Sequence, residues 1–258
     1  MPLAAVRELR AAWRAGVTTT NVWLTIPDAF VAETASRAGF DSVCIDMQHG
    51  LVDYRAALAM LQAAQGGGAP VLVRPPWNEP SILMRLLDAG ADGVVVPMVD
   101  TAEQAEQAVA ACRYPPRGRR SFGPTRAGLI ADAPYVEHAD EGALAFVMVE
   151  SVSALEQLDA ILNTPALDGV YVGPADLSLS MGHPPETDSE REEHQAAIRR
   201  VVAACHERRQ VVGLHTATPA FARRAAGWGV DFVTVATDVS SLKAELARRL
   251  DAFGASSA

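Results

Sequence analysis

The chain has 258 residues, a formal net charge of −9, 49% hydrophobic residues and 21% charged residues. This length and apolar share suit one barrel-sized domain with a substantial core, and the ordinary charged fraction excludes a disordered chain. The acidic balance argues against nucleic acid or an anionic membrane as partner.

From the N-terminus, residues 1–16 read as an amphipathic helix closing the bottom of a barrel. Arg7, Glu8, Arg10 and Arg14 interrupt its apolar pattern, so it is not read as a signal peptide. Short β-rich runs follow at 21–26, 42–45, 71–74, 93–96, 145–149, 169–172, 211–214 and 231–235. Most are continuous Val/Ile/Leu runs, as parallel strands covered on both faces require. Helical patterns lie between them at 28–38, 79–89, 101–111, 152–162, 190–209, 219–226 and 240–253, the first two ending at Gly39 and Gly90. Eight β-then-α units predict a single (β/α)8 TIM-barrel domain over 1–258. A doubly wound open sheet competes with it. That fold carries a Gly-rich loop after its first strand, whereas here the strand runs into Thr25-Ile26-Pro27-Asp28.

A faint repeat supports the barrel. Gly39-Phe40-Asp41, Gly90-Ala91-Asp92, Leu167-Asp168-Gly169 and Gly229-Val230-Asp231 introduce the second, fourth, sixth and eighth strands. Residues 113–141 break the spacing and are read as a long loop segment. They hold Arg113, Arg117, Arg119, Arg120 and Arg126, which read either as a solvated loop or as a functional one. No apolar run approaches the ~20 residues of a membrane span. Cys44, Cys112 and Cys205 are odd in number, far apart and without a C-x-x-C, so a reducing, cytoplasmic location is expected.

The loops after barrel strands build the active face, and polar residues collect there. Glu150 and Asp176 follow adjacent strands. Two carboxylates that close cannot both ionise cheaply without a cation between them. The pair reads as an open site for a hard divalent ion or as an acid–base pair of the glycosidase kind. Structurally it reads as a helix cap (Asp176) and a surface acid (Glu150). His49 follows the second strand beside Asp46 and suits a general base, though a lone histidine is often structural. Arg74 ends the third strand, where its fork suits an oxyanion or a salt bridge to a neighbouring acid. Asp88, near the end of the next helix, is a candidate to orient His49. His215 is a second histidine at the barrel mouth, and His183 reads as a loop residue. Lys243, the sole lysine, lies in a predicted C-terminal helix on an exposed-looking face. A Schiff-base mechanism, which needs a desolvated lysine in the barrel, is therefore not expected.

Several blocks in order resemble the HpcH/HpaI aldolase family: Gly39-Phe40-Asp41 with Ile45-Asp46-Met47-Gln48-His49-Gly50, Val73-Arg74-Pro75-Pro76-Trp77-Asn78, Leu86-Leu87-Asp88-Ala89-Gly90, Val96-Pro97-Met98-Val99, Arg113-Tyr114-Pro115-Pro116-Arg117-Gly118, Val149-Glu150, and Asp168-Gly169-Val170-Tyr171-Val172-Gly173-Pro174-Ala175-Asp176-Leu177-Ser178. The resemblance runs from about Trp23 to Asp238. It implies a class II, metal-dependent aldolase acting on 4-hydroxy-2-oxo acids, with pyruvate or hydroxypyruvate and an aldehyde as partners and no nucleotide cofactor. It also implies a trimer of dimers, a homo-hexamer, with an exchanged C-terminal helix. By position, Glu150 and Asp176 would hold Mg²⁺, Mn²⁺ or Co²⁺. His49 would be the base, Asp88 would raise its basicity, and Arg74 would stabilise the enolate. Substrate would lie against Arg74, Met148, Gly173, Pro174, Ala175, Asp176 and Leu214, with Ala175 offering its backbone N–H. Trp23, Asp46 and Gln48 are further candidates. Two departures set this chain apart from the 4-hydroxy-2-oxo-heptanedioate aldolases. Met148 stands where they carry glutamine and Gln48 where they carry glutamate, which bears on donor and acceptor preference. Another lyase on the same scaffold, such as an oxaloacetate decarboxylase or citramalyl-type lyase, is the alternative. A non-catalytic keto-acid-binding barrel is a third reading.

Overall fold

The computed structural model describes residues 3–131 and 134–255. Eight parallel strands close into a barrel in chain order: β1 (Thr19–Leu24), β2 (Ser42–Asp46), β3 (Val71–Arg74), β4 (Gly93–Val96), β5 (Leu144–Val149), β6 (Gly169–Val172), β7 (Val211–His215) and β8 (Phe232–Thr237). Thirteen α-helices are seen among the described residues: α1 (Leu3–Arg14), α2 (Ala29–Ser36), α3 (Tyr54–Ala64), α4 (Pro80–Asp88), α5 (Ala102–Cys112), α6 (Thr125–Leu129), α7 (Tyr135–Gly142), α8 (Val152–Glu156), α9 (Leu158–Leu162), α10 (Pro174–Ser180), α11 (Glu192–Glu207), α12 (Pro219–Gly227) and α13 (Asp238–Ala255). The architecture is the (β/α)8 barrel that the alternation predicts.

Strand alternation divides the core into two layers. Trp23, Cys44, Leu72, Val95, Phe146, Tyr171 and Phe232 fill the lumen, while neighbours such as Ile45, Val73, Val94, Val147, Val172 and Leu214 pack outward under the helices. The lumen is full enough to need a bare backbone in β7. A Cβ on Gly213 would lie 2.4 Å from Phe232 Cζ and 2.5 Å from Tyr171 Cδ2. At the bottom, α1 buries Val6, Leu9 and Trp13. Trp13 packs edge-on against Phe146 at 5.9 Å and against Phe232 at 5.5 Å.

The aspartate repeat has a physical basis. Each of the four carboxylates accepts the backbone N–H at the start of the preceding strand. Asp41 takes Thr20 N–H at 2.7 Å, Asp92 takes Val71 at 2.8 Å, Asp168 takes Ala145 at 2.7 Å and Asp231 takes Val212 at 2.8 Å. The side chain thus clips β2 to β1, β4 to β3, β6 to β5 and β8 to β7. Asp92 is fully buried, and loss of hydration pushes its carboxyl up to about 7, against the hydrogen bond from Val71.

The structure departs from the sequence reading in four places. β1 ends at Leu24, because Asp238 captures the N–H groups of Thr25 (2.9 Å) and Ile26 (2.8 Å) and draws them out of the ladder. The helix expected at 152–162 is two, breaking at Gln157, whose backbone (φ −94°, ψ 7°) leaves the helical region. Two helices were not anticipated: α3, capped by Asp53 accepting from Ala56 N–H, and the short α10. Residues 113–141 hold α6 and most of α7, and two of their arginines are structural rather than solvated. Arg113 donates to Ala143 O, Ala166 O and Asp168, and Arg120, fully buried, lies over the rings of Tyr114 and Tyr135 and pairs with Asp88.

Candidate active site

The strands end on a cavity of about 170 Å³ lined by Trp23, His49, Arg74, Met148, Tyr171, Gly173, Pro174, Ala175, Asp176, Thr187 and His215. Most sequence candidates meet there. Its floor is the top of the lumen, where Trp23 stacks on Tyr171 at 5.2 Å and meets His215 edge-on at the same separation.

Asp46 and Arg74 are paired in register at the ends of β2 and β3. Arg74 donates Nε and Nη2 to the two oxygens of Asp46 at 2.8 and 2.6 Å. The same carboxylate accepts the N–H groups of Gln48 (3.0 Å) and His49 (3.3 Å), so it also shapes the loop that presents His49. Burial works against both charges. The mutual hydrogen bonds more than offset it, holding Asp46 below the usual carboxylate range and raising Arg74. Gln48 is tied in through its backbone and does not line the cavity.

Glu150 is 3% exposed at the end of β5. It accepts Met98 N–H at 2.7 Å. Met98 holds a left-handed backbone (φ 54°), an uncommon conformation for a non-glycine residue and one that clusters at functional sites. Gly173 leaves the other face of the carboxylate open: a Cβ there would lie 2.4 Å from Glu150 Oε2 and 2.9 Å from Met148 Cε. Asp176 sits in the first turn of α10. Burial first, and the Asp176 charge after it, push the Glu150 carboxyl up to about 7 against the Met98 hydrogen bond. An adjacent cation relieves that situation, so the donor set fits a hard divalent ion. Among the described residues no group of three or more His, Cys, Asp or Glu could hold a metal, so such an ion would keep open positions for water or substrate.

The two histidines at the mouth differ. His215 Nδ1 lies 3.3 Å from Tyr171 Oη, which is 2.6 Å from Thr234 Oγ1. Burial, helped by the Arg74 charge, lowers His215 to about 4, so it stays neutral and weakly basic. His49 lines the cavity from an exposed loop.

Besides Gln48, two further sequence candidates do not line the cavity. Leu214 is one residue out of phase with the lumen. Its side chain packs in the outer layer, and His215 takes the inward position. Asp88 lies in the last turn of α4, on the side where the strands begin, and pairs with Arg120 at 2.7 Å. Within one chain it is at the opposite end of the barrel from His49. Met98, Tyr171 and Thr187 were not anticipated. Tyr171 was legible as a large polar-tipped ring at an inward strand position, but Met98 acts through its backbone and Thr187 lies in an irregular loop.

A closed barrel with two carboxylates, an anchored guanidinium and an imidazole at its strand ends, together with the family and relatives it matches, makes the chain a carbon–carbon lyase. The chain belongs to the HpcH/HpaI aldolase/citrate lyase family, whose model matches residues 19–244. It is 40% identical over 239 residues to a hydroxypyruvate/pyruvate aldolase of Rhizorhabdus wittichii, covering 93% of this chain and 95% of that one. It is 36% identical over 249 residues to a 2-keto-3-deoxy-L-rhamnonate aldolase of Salmonella schwarzengrund, covering 93% and 90%. The fold is similar to that of an HpcH/HpaI aldolase/citrate lyase family protein from Burkholderia cenocepacia J2315, with a TM-score of 0.88, 31% identity, and 95% and 98% of the two chains covered.

Proposed function

We propose that this enzyme makes and cleaves the carbon–carbon bond of 4-hydroxy-2-oxo acids, with pyruvate or hydroxypyruvate as donor and an aldehyde as acceptor. The observation that carries this reading is one small cavity lined by Arg74, His49 and Asp176, with Glu150 buried at the end of β5 behind Gly173 of its wall. Its 170 Å³ is below the roughly 300 Å³ at which drug-sized pockets begin, and suits a compact keto acid. Glu150 and Asp176 would hold a divalent ion (Mg²⁺, Mn²⁺ or Co²⁺), whose Lewis acidity would acidify the bound donor. Ala175, at the second position of α10, has a backbone N–H without an intrahelical acceptor, suited to the substrate carboxylate. Arg74 commits Nε and Nη2 to Asp46, which fixes its plane beside the developing oxyanion. His49 moves the proton of the aldehyde-derived hydroxyl. Met148 and Trp23 supply apolar wall, and Lys243, exposed on α13, takes no part.

The same reading covers the assembly. A His49–Asp88 dyad needs Asp88 from a second copy of the chain, which favours an oligomer, proposed here as a trimer of dimers. Asp238 anchors the start of α13, beyond which Val239, Leu242, Leu246 and Leu250 form an exposed apolar stripe, consistent with a helix exchanged between subunits. Three buried free thiols are consistent with a cytoplasmic location. The described residues contain no helix long and apolar enough to cross a membrane.

The test is a screen of pyruvate and hydroxypyruvate against aldehydes with added Mg²⁺, Mn²⁺ or Co²⁺, scored by adduct mass. Metal-dependent adducts of donor plus aldehyde are expected. Keto-acid binding without any adduct, or decarboxylation alone, would overturn the reading.

A further inference from the structure

The barrel has a second, larger cavity on the face opposite the candidate active site. It measures about 760 Å³ and lies among the end of α1, the turn before β6 and the turn between α11 and β7. Four guanidiniums, Arg10, Arg14, Arg208 and Arg209, line it against only two carboxylates, Asp168 and Asp231, in a chain whose net charge is −9. Both carboxylates are already engaged. Asp168 pairs with Arg10 at 2.5 Å and with Arg113 at 2.8 Å, and Asp231 accepts from Val212 N–H and faces His206 at 3.2 Å. Arg208 is spent on Asn163, Ala204 O and Asp159. The side chains of Arg14 and Arg209 form no ion pair among the described residues, and Arg10 Nε is buried without a partner. Thr164, 6% exposed, also lines the cavity, and its hydroxyl is likewise unpartnered.

The backbone gives a separate indication. Other helix-to-strand turns of the barrel place glycine in the left-handed region: Gly39 at φ 94°, Gly90 at 97° and Gly229 at 95°. Around this cavity Gly16 (φ 71°) keeps that pattern, but in the turns before β6 and β7 the conformation falls instead on Ala166 (φ 61°) and Arg209 (φ 57°). A side chain is thus kept where glycine is the easier residue, and at Arg209 it is an unpaired cation on the cavity wall.

We propose that this cavity binds a small phosphorylated anion, a phosphate monoester or a diphosphate. Uncommitted guanidinium forks are suited to phosphate oxygens, and they offer more positive charge than one carboxylate would neutralise. The proposal is independent of the chemistry at the other face.

The test is isothermal titration of the full-length protein with pyrophosphate and glycerol phosphate, and with succinate as a dianionic control, on the wild type and on Arg14→Ser/Arg209→Gly. Glycine at 209 suits the left-handed turn, so the variant keeps its fold. The expected result is saturable binding of a phosphate compound, one per chain, weakened at least tenfold in the double variant while aldol turnover stays within twofold. No saturable binding, binding undiminished in the double variant, or succinate bound as tightly would each overturn the proposal.

Discussion

Asp46 and Arg74 stand opposite each other in register on β2 and β3 and share two hydrogen bonds, at 2.8 and 2.6 Å. The pair does two things: it neutralises a buried guanidinium and fixes its plane beside the cavity. Asp46→Ala leaves that charge uncompensated and frees the loop that carries His49. A loss of stability of about 3 kcal/mol is expected, with turnover lowered at least as far as in Arg74→Ala. Denaturant titration and steady-state kinetics check both. A stable, fully active Asp46→Ala would show that the pairing positions nothing.

Glu150→Gln keeps the hydrogen bond from Met98 and removes one of the two carboxylates. Mn²⁺ affinity measured by titration should fall about 100-fold or more, and chelator-treated wild type should lose activity and regain it with added Mn²⁺. Unchanged Mn²⁺ affinity would place the ion elsewhere.

The two histidines should separate by kinetics. His49→Ala should lower aldol cleavage by about 10²-fold, the usual scale for a general base. His215→Asn should act mainly on KM, because His215 is held neutral, with its ring committed beside Tyr171. Equal losses of kcat in both variants would contradict this division.

If Asp88 reaches His49 only from another chain, two inactive variants should repair each other. Mixing His49→Ala and Asp88→Ala subunits through reversible dissociation should restore activity, because some sites then combine both intact residues. Mixtures as inactive as either parent would confine Asp88 to its contact with Arg120.

Asp92 predicts a pH effect of definite sign. Its folded pKa of about 7 lies above the unfolded carboxylate value, so the folded state holds its proton longer. Stability from this group is greatest in acid and is lost as pH rises from about 4 to about 7. Asp92→Asn can still accept from Val71 and does not ionise. Its melting temperature should match wild type at pH 4 and exceed it by roughly 10 °C at pH 8, since a folded pKa of about 7 against 3.8 corresponds to about 4 kcal/mol, at about 2–4 °C per kcal/mol for a chain of this size. Parallel curves for the two proteins would rule out Asp92 as the source.

The barrel was legible because eight apolar runs alternated with helical patterns, and the residues ending those runs found most of the site. What escaped was set by parity, backbone and distance. Leu214 and His215 are adjacent, and only the strand's pleat decides which faces the lumen. Met98 contributes an N–H, which its residue type does not announce. Asp88 has the right type and a neighbour's motif, yet the length of α4 carries it to the other end of the barrel. Arg113 and Arg120 lie in a segment rich in proline and glycine that looks solvated until their partners on distant turns are seen.

The four aspartate clips give the barrel a grain. Aspartate carboxylates fasten β1 to β2, β3 to β4, β5 to β6 and β7 to β8 through the backbone, whereas among the described residues the seams between these pairs have no aspartate clip of this kind, the β2–β3 and β8–β1 seams being joined side chain to side chain by Asp46–Arg74 and Thr234–Asn21. New termini opened at a seam, for instance in the loop between β6 and β7, leave every clasp whole. Permutants cut there should refold more readily than those cut within a clasped pair.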